Sequence, residues 1–555
     1  MWSSLWLLTI APGLISHYVF HHREPHALHF LSITSFALVM ESLGLVFIGR
    51  FSLMSMAITV IHSTALYLSS LSLSIILYRL SPWHPLAGYP GPILARISKW
   101  WMVFLILHHG KRHKSIESLH LEYGPWVRVG PNEISVKLPE AVQPIYSTLD
   151  RASFYRGIPA TADTLITLVD RKEHSRRRRA SLVGAQPWTK SLAHSALPGF
   201  AAVANTRISQ LMDILAADPN RQAIDLHKWL SFLLMDVIGD MAFSGGFETM
   251  KAGMDTDGWM TMLDIGAGVT AVLGQVPWLR SLVSLMPLKA VSYTHLDVYK
   301  RQAESCPIES FHQFAETKVR DAKLMQEKGG IKNDILSGII NETGDGELSE
   351  QEAAADASLL IASSLETTSQ AITTLFRYIV ADNSILSRLQ AEIDDSVPCD
   401  VEGVDASLLS SLPYLDACVH EALRIVPPAP AGPPRTTGPN GAFIVDRFVP
   451  PNTTIYVPTY ALHRDDNNFH RAETFVPERW LKSGPPVLPH RPEAFIPFSM
   501  GYGACVGRQV AMQNTKLVIC HLMREFSISF AEDFKVDEFD SSYKVRARSR
   551  QIELD

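Results

Sequence analysis

The residues best suited to chemistry start with Cys505, in the segment FIPFSMGYGACVGRQVA that runs from Phe495 to Ala511. An apolar run precedes it, and a helical pattern of Val510, Ala511, Leu517, Val518 and Leu522 follows. Gly501, Gly503 and Gly507 permit φ above zero and let the backbone approach something flat. Backbone N–H groups and the start of the next helix would stabilise a thiolate there. The same letters also suit a buried structural cysteine in a glycine turn. Glu366 and Thr367 adjoin inside a long apolar-periodic stretch, Glu352–Val380. A carboxylate in such a helix requires a partner or water, unless it lies on a polar surface side. The run Ser363-Ser-Leu-Glu-Thr-Thr368 tends to bond back to carbonyls and distort the helix. His174 and Arg178 stand four apart on one helical face, within the basic run Asp170–Ala180. That run otherwise reads as a solvated face or a contact with membrane phosphates. Glu421 and Arg424, three apart, also share a face, an arrangement worth little when it lies on a surface.

Holding these residues in place requires a large, mostly helical body. The chain has 555 residues, 46% of them apolar and 19% charged, with a net charge of −6. That balance supplies a sizeable core and gives no sign of nucleic-acid binding. Five cysteines, Cys306, Cys399, Cys418, Cys505 and Cys520, show no pairwise spacing. They fit a reducing compartment rather than a disulfide framework or a CxxC zinc site. Residues 115–147 read as a helix, then short strands around Gly130-Pro131, then a helix from Leu138. Residues 195–290 carry helical apolar periodicity with few breakers before Pro277. A further strand is expected at Thr453–Val457.

Residues 1–80 carry about three apolar runs, roughly Trp2–Phe20, His29–Ile48 and Ser55–Tyr78, each near the length of a spanning helix. Glu41 makes the second the costliest in lipid. A single anchor with two buried helices is the other arrangement. More basic residues follow the third run than precede it, which puts the main body in the cytosol. Residues 81–92, with four prolines and two glycines, cannot continue a helix and make a stiff hinge.

The Cys505 loop resembles the haem-ligand loop of the cytochrome P450 family, Phe-x-x-Gly-x-Arg-x-Cys-x-Gly. Phe498, Gly501, Cys505 and Gly507 fall in register, and Gly503 stands where the family usually has Arg. Ser363–Thr368 resembles the family's Ala-Gly-x-Asp/Glu-Thr-Thr segment. Glu421-Ala-Leu-Arg424 and Phe475-Val-Pro-Glu-Arg-Trp480 resemble its ExxR helix and its later Pro-Glu-Arg element, in the family's order. The resemblance covers roughly residues 81–550 and is greatest to a fungal, membrane-anchored, secondary-metabolism group that includes tryprostatin-hydroxylase relatives.

This resemblance implies a mainly α fold with small β-sheets, the cytochrome P450 fold, preceded by N-terminal transmembrane helices. Residues 93–555 would form a haem-thiolate monooxygenase domain binding heme b, with Cys505 as axial ligand to the iron. Phe498, Gly501 and Gly507 would shape the loop, while His174, Arg178 and Arg435 would contact haem propionates. Glu366 and Thr367 would be the acid–alcohol pair that delivers protons through ordered water. Arg479 would complete a structural triad with Glu421 and Arg424, and Pro430–Pro434 would line the cavity. The expected reaction inserts one atom of O2 into an apolar small molecule, a fungal secondary metabolite. No flavin or NADPH fingerprint follows the loop, so electrons would come from a separate NADPH-cytochrome reductase. The endoplasmic reticulum membrane is the expected location. Alternatives are an isomerase or dehydratase on the same fold working without O2, and an inactive membrane partner of pathway enzymes. Val291–Gln302 breaks the helical pattern and looks like a translated palindromic sequencing adapter, an assembly artefact that carries no function.

Overall fold

The computed structural model describes residues 2–22, 53–160, 162–178, 188, 191–217, 224–283, 307–328, 334–340, 348–397, 403–483, 487–531 and 551–554, with scattered helical positions between 32 and 43. The longest apolar-periodic run forms one continuous helix, Glu350–Ile379. It starts at a capping box: the Ser349 side chain accepts from the Glu352 N–H, and the Glu352 carboxylate accepts from the Ser349 N–H. Ala353, Ala357, Leu360, Ile361, Leu365, Ile372, Leu375 and Phe376 are buried along it, at the spacing of an amphipathic helix. This central helix packs against Leu226–Phe243 and Pro307–Glu327. The main apolar core also takes in Leu197–Ala216, Pro413–Ile425 and Arg508–Glu525.

Beside this helical mass lies a five-stranded sheet, ordered Trp126–Gly130, Glu133–Val136, Thr454–Tyr456, Arg435–Thr436, Asp150–Arg151. Glu133–Val136 runs parallel to Thr454–Tyr456 and the other pairings are antiparallel. Its register sets Arg435 opposite Arg151, so two guanidiniums arrive together at one end of the sheet. A second apolar core, with Leu86, Trp126, Ile134, Tyr146, Ile455 and Phe469, fixes the sheet under the hinge.

The helix expected from Leu138 is present over residues 139–148, opening as a 3-10 turn at Pro139–Ala141 and ending as a wider π turn at Pro144–Thr148. Pro139 falls in the first turn, where no N–H donor is needed, whereas Pro144 lacks the N–H that would bond back four residues and so breaks the regular pattern. The region expected as helical periodicity from 195 to 290 divides into Leu197–Ala216, Leu226–Phe243, Thr249–Ala252, Trp259–Leu273 and Trp278–Val283.

At the N-terminus, Trp2–His22 and Leu53–Leu80 are helices packed on each other. Ser16 Oγ and Tyr67 OH are 2.9 Å apart, and His17 Nδ1 lies 2.7 Å from Ser74 Oγ. Among the described residues, one stretch, Val60–Leu80, is long and apolar enough to cross a membrane. Most of the second apolar run, including Glu41, lies outside the described residues, as do Val291–Gln302, Cys306 and Cys399. The hinge follows as a series of turns with Leu86 buried, and Tyr89 OH donates to the Phe448 carbonyl.

Candidate active site

The Cys505 loop is pinned at both ends. Its N–H donates to the Phe498 carbonyl at 2.9 Å, and Ala504 N–H donates to Gly501 O at 3.1 Å. Gly501 has φ of +68°, and a Cβ there would collide with the Tyr146 carbonyl, so only glycine fits. Positive φ was expected at Gly503 and Gly507 as well, and neither has it. Gly503 is small for another reason: a Cβ there would strike the Arg435 guanidinium. Gly507, with φ of −83°, is the N-cap of Arg508–Glu525. Cys505 is exposed on one side, yet enough protein surrounds it for burial to raise its thiol pKa. Hydrogen bonds from the Gly507 and Arg508 backbone and the charge of Arg178 act in the opposite, thiolate-favouring direction.

Around this loop the chain gathers cations. Arg178 donates through Nη1 to the carbonyls of Tyr502 and Ala504, the latter at 2.8 Å. Its neighbour Arg177 points elsewhere, to Glu352 and buried Asp356 on the central helix. His174, four residues before Arg178, meets the Tyr502 ring edge-on with centroids 5.5 Å apart. Burial, followed by the charges of Arg151, Arg178 and Arg435, pushes the His174 pKa down to about 3. Arg435 is 1% exposed and lies over the rings of Tyr146 and Tyr502. Its other contacts are long, 3.3 Å to Tyr155 OH and 3.4 Å to the Pro434 carbonyl. Among the described residues no carboxylate pairs with it, and its Nε, the Arg151 Nε and the His174 Nδ1 are buried without partners. A buried guanidinium without an acid is costly. The pocket therefore suits a planar group that brings carboxylates with it.

In the central helix the expected distortion does not interrupt the regular pattern. The hydroxyls of Ser364 and Thr367 bond back to the Ile361 and Ser363 carbonyls at 3.1 and 2.8 Å. Ala362, Ser363 and Thr367 are exposed, although most of their helix is buried, so one face borders open space. Glu366 Oε2 lies 3.8 Å from His227 Nε2, contributed by Leu226–Phe243. That histidine is the partner the carboxylate required, and nothing in the spacing of the sequence pointed to it.

Glu421, Arg424 and Arg479 come together as a fully buried network. Arg424 donates twice to Glu421 at 2.8 Å, Arg479 Nε donates at 3.1 Å, and the Val476 N–H and Trp480 Nε1 donate at 2.8 and 2.9 Å. Burial raises the Glu421 pKa, but the Arg424 hydrogen bonds and both guanidinium charges outweigh it and hold it below the usual range. His463 ties this network to the loop. Its Nδ1 faces the Arg424 carbonyl at 3.1 Å, and its Nε2 accepts from the Ile496 N–H at 2.9 Å. His463, Tyr146 and Arg151 were all missed in the sequence, because their roles depend on segments brought together only by folding.

A family model for cytochrome P450 matches residues 92–554. "Cytochrome P450 67" of Uromyces fabae is 29% identical over 549 residues, covering 95% of this chain and 94% of that protein. "Tryprostatin B 6-hydroxylase" of Aspergillus fumigatus is 30% identical over 484 residues, covering 84% and 79%. "Cytochrome P450 monooxygenase FCK2" of Fusarium pseudograminearum is 27% identical over 539 residues, covering 95% and 92%.

Proposed function

This chain belongs to the cytochrome P450 family and is a haem monooxygenase, and from that premise we propose how its own residues serve the reaction. Cys505 would hold the haem iron through its thiolate, and the group, when bound, would supply the oxygen-activating chemistry that such a sulfur ligand favours. His174, Arg178 and Arg435 receive the haem carboxylates, and Phe498, Gly501 and Gly507 keep the loop thin enough to lie under the ring. The observation that carries this reading is the buried Arg435 with no acid partner among the described residues, standing over the loop of an accessible cysteine.

Glu366 and Thr367 hold and pass protons on the exposed face of the central helix. The Thr367 hydroxyl, oriented by donating to Ser363 O, can accept a hydrogen bond from a water in the open space and so position it for proton delivery. Glu366 exchanges protons with solvent on the His227 side. Glu421, Arg424 and Arg479 keep the loop at fixed height through His463. Ser363 and Ser364, where the family usually has Ala-Gly, leave the helix continuous.

The substrate is an apolar small molecule, in keeping with the relative named tryprostatin B 6-hydroxylase. Electrons come from a separate NADPH-dependent reductase. The chain is held in the endoplasmic reticulum membrane with its catalytic domain in the cytosol. The apolar helix Val60–Leu80 supports an anchor within residues 1–80, which we read from the three apolar runs of the sequence as about three spans.

The direct test is Cys505→Ser. The reduced, CO-bound spectrum of the wild type is expected to show the red-shifted band of a thiolate ligand, and the variant to lose both the band and turnover. Unchanged spectrum, haem content and turnover would remove Cys505 from the iron.

A further inference from the structure

The helices Trp2–His22 and Leu53–Leu80 pack with polar side chains turned inward. Buried positions include Gly13 and Ser16 on the first and Ser63 and Tyr67 on the second. Large apolar residues face out: Leu14, Ile15 and Val19 on one, Ile61, Leu73 and Leu77 on the other. For water that arrangement is inverted, since a soluble helix hides its apolar stripe. In hydrocarbon it is the favourable one, because helices there associate through small residues and cross-helix hydrogen bonds. The seam supplies both. A Cβ on Gly13 would collide with Ser70 Oγ, so the two backbones approach closely there. Ser16 Oγ meets the hydroxyl of the fully buried Tyr67 at 2.9 Å, and His17 Nδ1 meets Ser74 Oγ at 2.7 Å.

These contacts fix the direction of pairing. Gly13 lies against Ser70, His17 bonds to Ser74, and the His21 and Tyr78 rings meet with centroids 4.5 Å apart. Each pair is 57 positions apart, so four residues along one helix match four along the other in the same sense. The helices are parallel. His21 therefore stands at the end of the pair next to the hinge, beside Tyr78. Leu53 stands at the other end, 25 residues before Tyr78 and so about 37 Å away. The chain leaving His22 must cover that length before it can enter Leu53–Leu80. On the way Phe36, Val39, Met40 and Leu43 are helical and exposed, an apolar face at i, i+3, i+4 and i+7.

We propose that Trp2–His22 is a spanning helix laid parallel to Leu53–Leu80 and joined to it along this polar seam, with the chain between them recrossing the bilayer. The inference rests on the membrane reading above and deepens it: the anchor is one packed unit rather than a set of separate tethers. Polar side chains are costly in lipid unless they find one another. Ser16, His17, Tyr67 and Ser74 do so across the seam. The unit also ends on the catalytic body. The Tyr78 ring meets that of His84 with centroids 5.2 Å apart, and His84 Nε2 lies 3.3 Å from Arg128 Nη2 on the strand Trp126–Gly130. The first helix thus reaches the body through Tyr78 and His84.

The test uses the full-length holoprotein in sealed microsomal vesicles with the catalytic domain outward. His17→Cys and Ser74→Cys are combined and treated with a short thiol-to-thiol cross-linker, and joined peptides are read by mass spectrometry. His17→Cys with Ser63→Cys is the comparison. Ser63 is buried on the same helix but eleven residues, about 16 Å, before Ser74, so the first pair should give at least about tenfold more linked peptide. Arg23→Cys, just past the first helix, should react with a membrane-impermeant maleimide added outside. Haem content equal to that of the wild type shows that each variant has folded. Linkage through Ser63→Cys in preference to Ser74→Cys would reverse the pairing and overturn the proposal. Absence of both links, with Arg23→Cys still labelled, would overturn the seam and leave the three-span anchor standing. Protection of Arg23→Cys until detergent is added would overturn the paired crossing and the three-span reading together, leaving Val60–Leu80 as a single anchor.

Discussion

Arg435 offers a perturbation whose sign separates a cofactor-holding cation from a structural one. Its guanidinium is 1% exposed and has no acid partner among the described residues, so the protein alone bears a desolvation cost of several kcal/mol. Against that stand two long hydrogen bonds, each worth at most about 1 kcal/mol. Two ring contacts at 5.3 Å add about 0.5–1 kcal/mol each. Arg435→Met, which keeps much of the volume, should therefore leave the haem-free protein as stable as the wild type or more stable by up to about 3 kcal/mol. Haem binding should move the other way. Losing one charge-assisted hydrogen bond of about 1.5–3 kcal/mol weakens haem retention roughly ten- to hundredfold. The assay pairs urea unfolding of haem-extracted protein with the rate of haem loss to an excess of scavenger. If the substitution destabilises the haem-free protein by more than about 1 kcal/mol while haem loss is unchanged, Arg435 is a structural cation and the carboxylate-receiving pocket is wrong.

The other predictions concern the loop, the two carboxylate networks and the proton path. Gly501→Ala should cost about 2–4 kcal/mol, combining the positive φ with a collision at the Tyr146 carbonyl, whereas Gly507→Ala should leave folding stability within about 1 kcal/mol; thermal unfolding separates them. Glu421→Gln should cost about 3–5 kcal/mol in urea unfolding, because Arg424 and Arg479 are left buried without their counter-charge. Burial, against bonds from the Leu165 N–H and Trp188 and the charge of Arg177, raises the Asp356 pKa to about 6. Folded protein holds that proton more tightly than unfolded protein does. Its stabilising effect is thus full below an unfolded pKa of about 4 and is lost as pH rises through about 6; Asp356→Asn should flatten unfolding free energy across that window. Thr367→Val should lower product formed per NADPH consumed and raise peroxide release, with turnover falling by at least about tenfold; unchanged coupling would take Thr367 out of the proton path.

Much of the site was legible because its letters impose local geometry. The glycine loop, the i, i+3 pair Glu421 and Arg424, and the i, i+4 pair His174 and Arg178 each sit within one element, and all appear there. Packing separates the adjacent arginines of the basic run: Arg178 faces the loop while Arg177 serves Glu352 and Asp356. What could not be read was any relation between distant segments. Gly503 reads in the sequence as a φ > 0 position, yet its constraint comes from Arg435, a side chain 68 positions earlier in the chain. The helix expected from Leu138 forms, but Pro144 within it turns its second half from the regular i→i−4 pattern to a wider one.

The fold uses buried arginine in two opposite ways, and the contrast bears on which residues serve chemistry. Arg424 is buried as deeply as Arg435, but it is answered within the chain by Glu421 and by the carbonyls of His463, Ala472 and Thr474. It is a finished structural network, and His463 transmits its rigidity to the Ile496 end of the loop. Arg435, Arg151 and His174 crowd together at the other side of that loop with donors left over. A chain that satisfies one buried guanidinium so thoroughly shows that it has the carboxylates and carbonyls to satisfy another. Leaving the second set open, beside the accessible cysteine and over the glycine that yields to Arg435, is then best explained by a ligand that brings its own negative charge.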